Sequence, residues 1–426
     1  MKMKIPSCLK RVFEILLLLV LIEVGTLSAQ TVGEPIPEWA PGMLDIHEIS
    51  TGRTSSTFFV LPDGTTLLYD AGDFTEVTQE WRIPRYLEIS PNESRSPGEW
   101  ILRYIERVLN QNAIPNRRID YAIPSHFHSD HMGQVTDNTP VSEERGYALS
   151  GFTLIGDQIS IKKMIDRAWP DYEYLIDPNN RTINNYKSFI DWQQKNNGLT
   201  AERFEPGRND QIVLMNKPSD YQTFEVQNIA ANGEVWTGFG SETRTHFPAL
   251  EDLEPDEYPS ENISSIALRM SYGKFDYFTG GDIAGVLLDG QPTWFDIETP
   301  IAKALGPVEV ATLNHHGYYD AQNSFLVETL RPQAWIISVW DSSHPSPMVY
   351  RRLRSRNLYP GPRDIFATRL HEATRSVVAG MDQLASDRGH IVVRVDSDGN
   401  SFKIIILDDT NEDMIVKSVH GLYSAR

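Results

Sequence analysis

The sequence predicts one α/β domain in which two β-sheets lie face to face between helices. Short runs with strand-like patterning dominate the early and middle parts of the chain, and helical segments are interspersed among them. No repeat, low-complexity tract or linker divides the 426 residues. Hydrophobic residues make up 40% and charged residues 23%, which is typical of a globular protein with a sizeable core.

The N-terminal 29 residues have the layout of a secretory signal peptide. Basic residues precede an apolar run over 12–24, and the small residues Ser28 and Ala29 follow. The apolar run is shorter than the roughly 20 residues that span a bilayer. We therefore expect cleavage after Ala29, a periplasmic or secreted product without a membrane span, and one domain over residues 30–426. An uncleaved membrane anchor is the alternative.

The first half of the predicted domain begins with strands. Strand patterns cover 43–50, 55–61 and 65–69, and Asp63-Gly64 suits a hairpin turn between the last two. Helical spacing covers 100–109, with Pro97 and Glu99 suited to its first turn, and a strand follows at 119–123. An insertion is expected at about 150–222, with helices at 158–168 and 183–194.

The second half continues with strands and shorter helices. Strands are predicted at 223–230, 263–272, 274–278, 308–313, 334–339, 389–395 and 401–407. Helices are predicted at 324–330 and 347–356.

Charge and cysteine content narrow the possible functions. The net charge of −19 argues against long nucleic acid as a partner, because such binding depends on Lys and Arg at phosphates. The only cysteine, Cys8, lies in the leader, so the mature chain contains neither a disulfide nor a thiolate metal site. Any transition metal must be bound by His, Asp or Glu.

The strongest chemical motif is His126-Phe127-His128-Ser129-Asp130-His131, directly after a predicted strand. Imidazole and carboxylate groups are the ligands that Zn²⁺ takes in proteins. His126 and His128 share a face in extended backbone, and Asp130 and His131 turn toward a second position. The spacing therefore predicts ligands for two adjacent ions.

The order of motifs resembles the metallo-β-lactamase superfamily. Asp70 ends a strand before the histidine cluster, Asp282 follows Gly280-Gly281 after it, and His315-His316 comes later. The resemblance implies a four-layer αββα sandwich that binds two divalent ions, zinc or alternatively manganese. It implies that Asp282 bridges the ions and that Asp70 orients the histidine loop.

Asn314-His315-His316-Gly317 is similar to a motif of one branch, which includes the hydrolase domain of the DNA-uptake protein ComEC and the phosphorylcholine esterases. In that branch, one histidine of the pair ligates a metal and the other faces the substrate. The sequence leaves both assignments open and slightly favours His315 as the ligand. Asp130, His316 and His344 are then the candidate catalytic residues.

One position departs from many members of the superfamily, which have a third histidine for the first metal between the cluster and the bridging aspartate. His246 is the only histidine in this interval, and Asn262 or Ser264 occupies the expected place. His246 is therefore either that ligand or a surface residue.

These features predict an exported hydrolase that cleaves a small or surface-attached phosphodiester with a hydroxide activated by two metals. A ComEC-like nuclease is the second hypothesis, and a lactone or β-lactam hydrolase is the third. A binding protein that retains the fold without catalysis is the alternative from a different class.

Overall fold

The computed structural model describes residues 30–75 and 85–426, so the predicted leader lies outside the described residues. The strands are β1 (Leu44–Glu48), β2 (Thr57–Val60), β3 (Thr66–Tyr69), β4 (Ile119–Ile123), β5 (Ile161–Asp166), β6 (Thr200–Arg203), β7 (Phe224–Ala231), β8 (Glu234–Trp236), β9 (Thr243–Thr245), β10 (Ala267–Tyr272), β11 (Phe275–Thr279), β12 (Val310–Thr312), β13 (Ala334–Ile337), β14 (Asp364–Ala367), β15 (His390–Val395), β16 (Ser401–Leu407) and β17 (Val416–Ser424). The α-helices are α1 (Pro97–Leu109), α2 (Ser129–Met132), α3 (Phe152–Gln158), α4 (Arg181–Asn197), α5 (Glu298–Leu305), α6 (Ser324–Leu330), α7 (Pro347–Arg354) and α8 (Glu372–Val377).

The strands form two mixed sheets. The first has the order β17-β16-β15-β1-β2-β3-β4-β5-β6, and the second has the order β14-β13-β12-β11-β10-β7-β8-β9. In the first sheet, β3 through β6 run parallel. In the second sheet, β11 through β14 run parallel. Each sheet therefore has a parallel part whose strands end at one edge.

The two sheets pack against each other through a shared apolar core. Phe59 of β2 and Tyr277 of β11 meet edge to face, with ring centroids 5.7 Å apart. Phe58, which points to the opposite face of the same strand, packs with Ile101 of α1 on the outside of the first sheet. Burial on both faces explains why these strands are rich in large apolar residues.

Helices cover the outer faces of both sheets. Helices α1, α3 and α4 pack on the first sheet. Helices α5, α6 and α7 pack on the second. The order of layers is thus helices, sheet, sheet, helices, which confirms the predicted fold class.

Local signals account for the elements that the sequence predicted well. Asp63 accepts the Thr65 N–H at 2.9 Å in the hairpin between β2 and β3, where Gly64 has a φ of +80°. At the start of α1, Ser96 accepts from Glu99 and the Glu99 side chain accepts from Ser96, a capping box with Pro97 at the first helical position.

The predicted helix at 158–168 is wrong. Helix α3 ends at Gln158, and β5 follows it. Ile161, Met164 and Ile165 have the spacing of a helical face, but pairing with β4 buries all three in a strand. Strands β5 and β6 extend the first sheet, so the segment expected as an insertion contributes to the sandwich itself.

No helix within 30–75 and 85–426 combines the length and the apolarity needed to cross a membrane.

Candidate metal centre

The chemical motifs lie where parallel strands of both sheets end. Asp70 directly follows β3, and His126 comes three residues after β4, its parallel neighbour in the first sheet. Asp282 follows β11, and the His315-His316 pair follows β12, its parallel neighbour in the second sheet. Because carboxyl ends of parallel strands share one edge, the two sheets bring residues that are far apart in sequence into one cluster.

Asp130, His131, Asp282 and His316 form a buried group in which one ligand atom from each residue lies within 4.8 Å of the others. His131 Nε2 is 3.2 Å from both His316 Nε2 and Asp282 Oδ1, and it lies 3.3 Å from Asp130 Oδ2. Asp130 and His131 lie in the short helix α2 after β4, Asp282 lies in the loop after β11, and His316 lies in the turn after β12. Its nitrogen and oxygen atoms suit one divalent cation such as zinc.

The second oxygen of Asp282 faces a different set of nitrogens. Asp282 Oδ2 lies 3.7 Å from His126 Nε2 and 3.8 Å from His315 Nε2. His126 Nε2 is in turn 3.1 Å from His128 Nδ1. His126 is fully buried whereas His128 is exposed, so this side of the cluster opens toward solvent.

Asp70 contacts the loop over residues 125–131, which carries the histidine cluster and is called the histidine loop below. Its Oδ1 accepts the Ser125 N–H at 2.6 Å, and its Oδ2 lies 2.8 Å from His131 Nδ1. The bond to Nδ1 directs the other ring nitrogen, Nε2, into the group. Gly281 has a φ of +55°, and a Cβ there would lie 2.8 Å from the Ser125 side chain. A glycine is therefore required where the Asp282 loop passes the histidine loop.

The histidine pair sits in a strained turn that separates the two rings. His315 and His316 both have positive φ values, +46° and +54°. His316 Nδ1 lies 3.0 Å from the Ser338 carbonyl oxygen, and its Nε2 points into the buried group. His315 Nδ1 instead lies 2.8 Å from Asp320, and its Nε2 is 3.2 Å from the Asn262 amide nitrogen.

The four-residue group thus contains His316 and not His315, whereas the sequence favoured His315. His315 is the nearer of the two to the end of β12, which is why the sequence favoured it. The left-handed turn directs the second ring inward and leaves the first at the rim. His315 still faces the Oδ2 side of Asp282.

Burial and mutual attraction set the ionisation of the cluster. Burial opposes the charged form of Asp282 and Asp130, but the surrounding histidines outweigh it and hold the pKa of each carboxyl well below its usual value. Burial lowers the pKa of His126 and of His344 well below the ordinary value. Burial opposes the charged form of His131 and His316 as well, but Asp282 and Asp130 outweigh it and raise the pKa of His131 well above its ordinary value and that of His316 to about 9. A metal ion that binds these two imidazoles would therefore displace a proton from each.

Two polar networks position these loops. Glu261 Oε1 accepts the Phe127 N–H at 2.8 Å and also accepts from Arg167, whose guanidinium lies 4.8 Å from the Phe127 ring. On the other side, the buried Glu298 accepts from the Asn314 side chain and from the Gln322 N–H, both at 2.7 Å. Sequence reasoning missed both residues, because Glu261 and Glu298 lie outside any motif.

An aromatic wall borders the group and was also missed. The Trp340 Nε1–H donates to His316 Nε2 at 3.2 Å, and the Trp340 ring stacks on Tyr86 with centroids 5.7 Å apart. Phe74 meets Trp340 edge to face at 5.4 Å. His344 stacks on His316 with centroids 4.7 Å apart, so the structure brings this predicted residue to the site.

The structure separates His246 from the cluster. It directly follows β9, the edge strand of the second sheet, which lies four strands away from β11, and it is not part of the buried group. Asn262 instead lies beside His315, with its side-chain oxygen buried and unpaired among the described residues.

Part of the chain matches a known protein family. Residues 50–137 match the family model described as the metallo-beta-lactamase superfamily. The metallo-β-lactamase match includes Asp70 and the whole stretch from His126 to His131, and the two-sheet sandwich flanked by helices is consistent with it. The match does not distinguish branches of the superfamily. No curated protein matches the chain.

Proposed function

We propose that this protein is a metal-dependent hydrolase that cleaves a phosphodiester. The observation that carries the proposal is the buried group of Asp130, His131, Asp282 and His316 at the meeting edge of the two sheets. The match to the metallo-β-lactamase superfamily, which consists mostly of hydrolases, supports the same reaction class.

The residues fit divalent cations. Asp282 Oδ1 is buried and has no hydrogen-bond donor within the described part of the chain. The Nε2 atoms of His131 and His316 lie 3.2 Å apart, and His126 Nε2 lies 3.1 Å from His128 Nδ1. Such atoms repel unless a proton or a cation lies between them, and a full ligand set makes a cation the better explanation.

The geometry supports two adjacent sites that share Asp282. Asp130, His131, His316 and Asp282 Oδ1 would hold one ion, and His126, His128 and Asp282 Oδ2 would hold the other. Zinc suits this mixture of nitrogen and oxygen ligands, and manganese is the alternative. Bound ions would supply Lewis-acid activation of water and neutralise charge that develops on the substrate.

The remaining residues define the space around the reaction. His344 is buried and its lowered pKa keeps the imidazole neutral, so it offers a hydrogen bond to a substrate oxygen rather than a positive charge. His128 and the half-buried His315 lie at the open side, where a substrate would enter. Asp320 fixes the His315 ring by its contact with Nδ1.

The phosphodiester assignment rests on the ComEC-like histidine pair and on charge. A phosphodiester carries one negative charge, which suits a site for two dications. The net charge of −19 favours a small or surface-attached substrate over long nucleic acid. We also propose that the N-terminal signal directs export of the protein. An intact mass in the exported fraction that corresponds to a chain beginning near Gln30 would support this.

Turnover of bis(p-nitrophenyl) phosphate after loading with zinc or manganese tests the proposal. Asp282→Asn keeps the shape of the side chain but removes the charge that faces both ligand sets, so we expect turnover to fall by about 100-fold or more. Asp289→Asn, the same change at an exposed position, should leave turnover unchanged.

Two results would contradict the proposal in different ways. Full activity of Asp282→Asn with unchanged metal content would remove Asp282 from the site. Metal binding by the wild type without phosphodiester turnover would shift the substrate to a lactone or a β-lactam, which chromogenic esters and β-lactams would reveal.

A further inference from the structure

Trp340 occupies an unusual position at the edge of the candidate metal centre. Its Nε1–H donates to His316 Nε2 at 3.2 Å, the same atom that faces Asp130 and His131. His316 Nδ1 lies 3.0 Å from the Ser338 carbonyl oxygen, so Nε2 is the ring nitrogen that a metal ion would take. The indole N–H therefore lies beside the ring nitrogen that a metal ion would occupy.

The indole ring is held firmly in this position. Tyr86 stacks on one face with an interplanar angle of 20°, and Phe74 packs against the ring edge to face at 5.4 Å. His344 meets it edge to face at 5.0 Å. Because aromatic packing fixes the plane of the ring, Trp340 cannot turn its N–H toward solvent when His316 binds a metal.

We infer that Trp340 is a substrate-binding residue whose indole N–H donates a hydrogen bond to an anionic phosphoryl oxygen at the metal centre. The inference rests on the proposed function, since it requires a cation on His316 Nε2. An indole N–H is a donor only, so it needs an acceptor once that nitrogen is occupied. A charged oxygen beside the ion is the strongest acceptor that this position admits.

The neighbouring residues favour an anion at this place. The Tyr86 ring stacks on Trp340, and the guanidinium groups of Arg53 and Arg85 lie 5.6 Å and 5.5 Å from the centre of that ring. Trp340 is half-buried, so the ring remains accessible to a bound molecule. A hydrogen bond to a charged oxygen is stronger when its donor is partly shielded from water and held in place by the surrounding residues.

Binding of inorganic phosphate to the zinc-loaded protein, measured by calorimetry, tests the inference without relying on turnover. Trp340→Phe keeps an aromatic ring against Tyr86 but removes the N–H, so we expect phosphate affinity to fall about tenfold with zinc content unchanged. Trp340→His returns a ring N–H and should recover part of the affinity. Trp100→Phe removes an N–H that donates to the Asn92 carbonyl oxygen, and it should bind phosphate like the wild type.

The outcomes separate this inference from the proposed function. If zinc-loaded Trp340→Phe binds phosphate as tightly as the wild type does, only the proposed role of Trp340 is overturned. Loss of zinc from Trp340→Phe would make Trp340 a residue that positions His316, which also overturns it. Failure of the wild-type protein to take up zinc would overturn both the inference and the proposed function.

Discussion

Asp282 Oδ1 lies 3.2 Å from His131 Nε2, although the two residues follow strands of different sheets. His131 belongs to the loop and short helix after β4, and Asp282 belongs to the loop after β11. The contact exists only when both sheets have packed together. Assembly of the metal centre therefore requires the packed sandwich.

The two histidines of the pair should differ in their effect on metal binding. His316→Ala removes a member of the four-residue group, so we expect the affinity for one ion to fall by about 100-fold or more. His315→Ala removes a ring at the rim and should cost about tenfold or less. Competition with a chromogenic zinc chelator measures both constants, and a larger loss in His315→Ala would restore the assignment that the sequence favoured.

The buried pair of Arg167 and Glu261 should stabilise the fold as well as the histidine loop. Glu261→Ala leaves the Arg167 guanidinium, which is fully buried, without its carboxylate and costs about 3 kcal/mol of unfolding free energy. Asp137→Ala breaks an ion pair whose Asp side chain is 95% exposed and should cost about 0.5 kcal/mol. Urea denaturation of the two variants measures the difference, and equal losses would argue against a structural role for Glu261.

The buried His390 should make stability fall at mildly acidic pH. Burial lowers its pKa to about 4, and its Nδ1 accepts the Ser50 N–H at 3.0 Å. In the unfolded chain this histidine is protonated below about pH 6.5, whereas in the folded chain it is protonated only below about pH 4. The stabilisation is therefore complete above pH 6.5 and decreases as the pH falls toward 4.

His390→Asn keeps an acceptor for Ser50 but does not titrate. Compared with this variant, the wild type should lose about 1–2 kcal/mol more unfolding free energy between pH 7 and pH 5. Denaturation curves at the two pH values provide the comparison. The same pH dependence in both proteins would show that His390 already accepts a proton in the folded state.

Sequence patterns predicted the parts of the molecule that depend on local signals. The hairpin at Asp63-Gly64 and the start of α1 at Pro97 follow from turn and capping chemistry within a few residues. The cluster from His126 to His131 was visible because its members are adjacent in the chain. The resemblance of the motif order to the metallo-β-lactamase superfamily then pointed to Asp282 and to the histidine pair.

Features that depend on tertiary contact were beyond the sequence. The helical spacing of Ile161, Met164 and Ile165 gave no sign that β4 would pair with this segment. The direction of the His316 ring depends on two positive φ values that no motif indicates. Trp340 reaches the metal centre because a loop after β13 folds across it, a placement that residue type alone does not specify.

The metal content of the purified protein tests the central claim most directly. Elemental analysis after loading with excess zinc and removal of unbound metal should find about two ions per chain, since Asp282 faces two ligand sets. Asp282→Asn should reduce this to about one ion or fewer. Less than about 0.2 ion per wild-type chain, with no uptake of zinc or manganese on titration, would contradict the account.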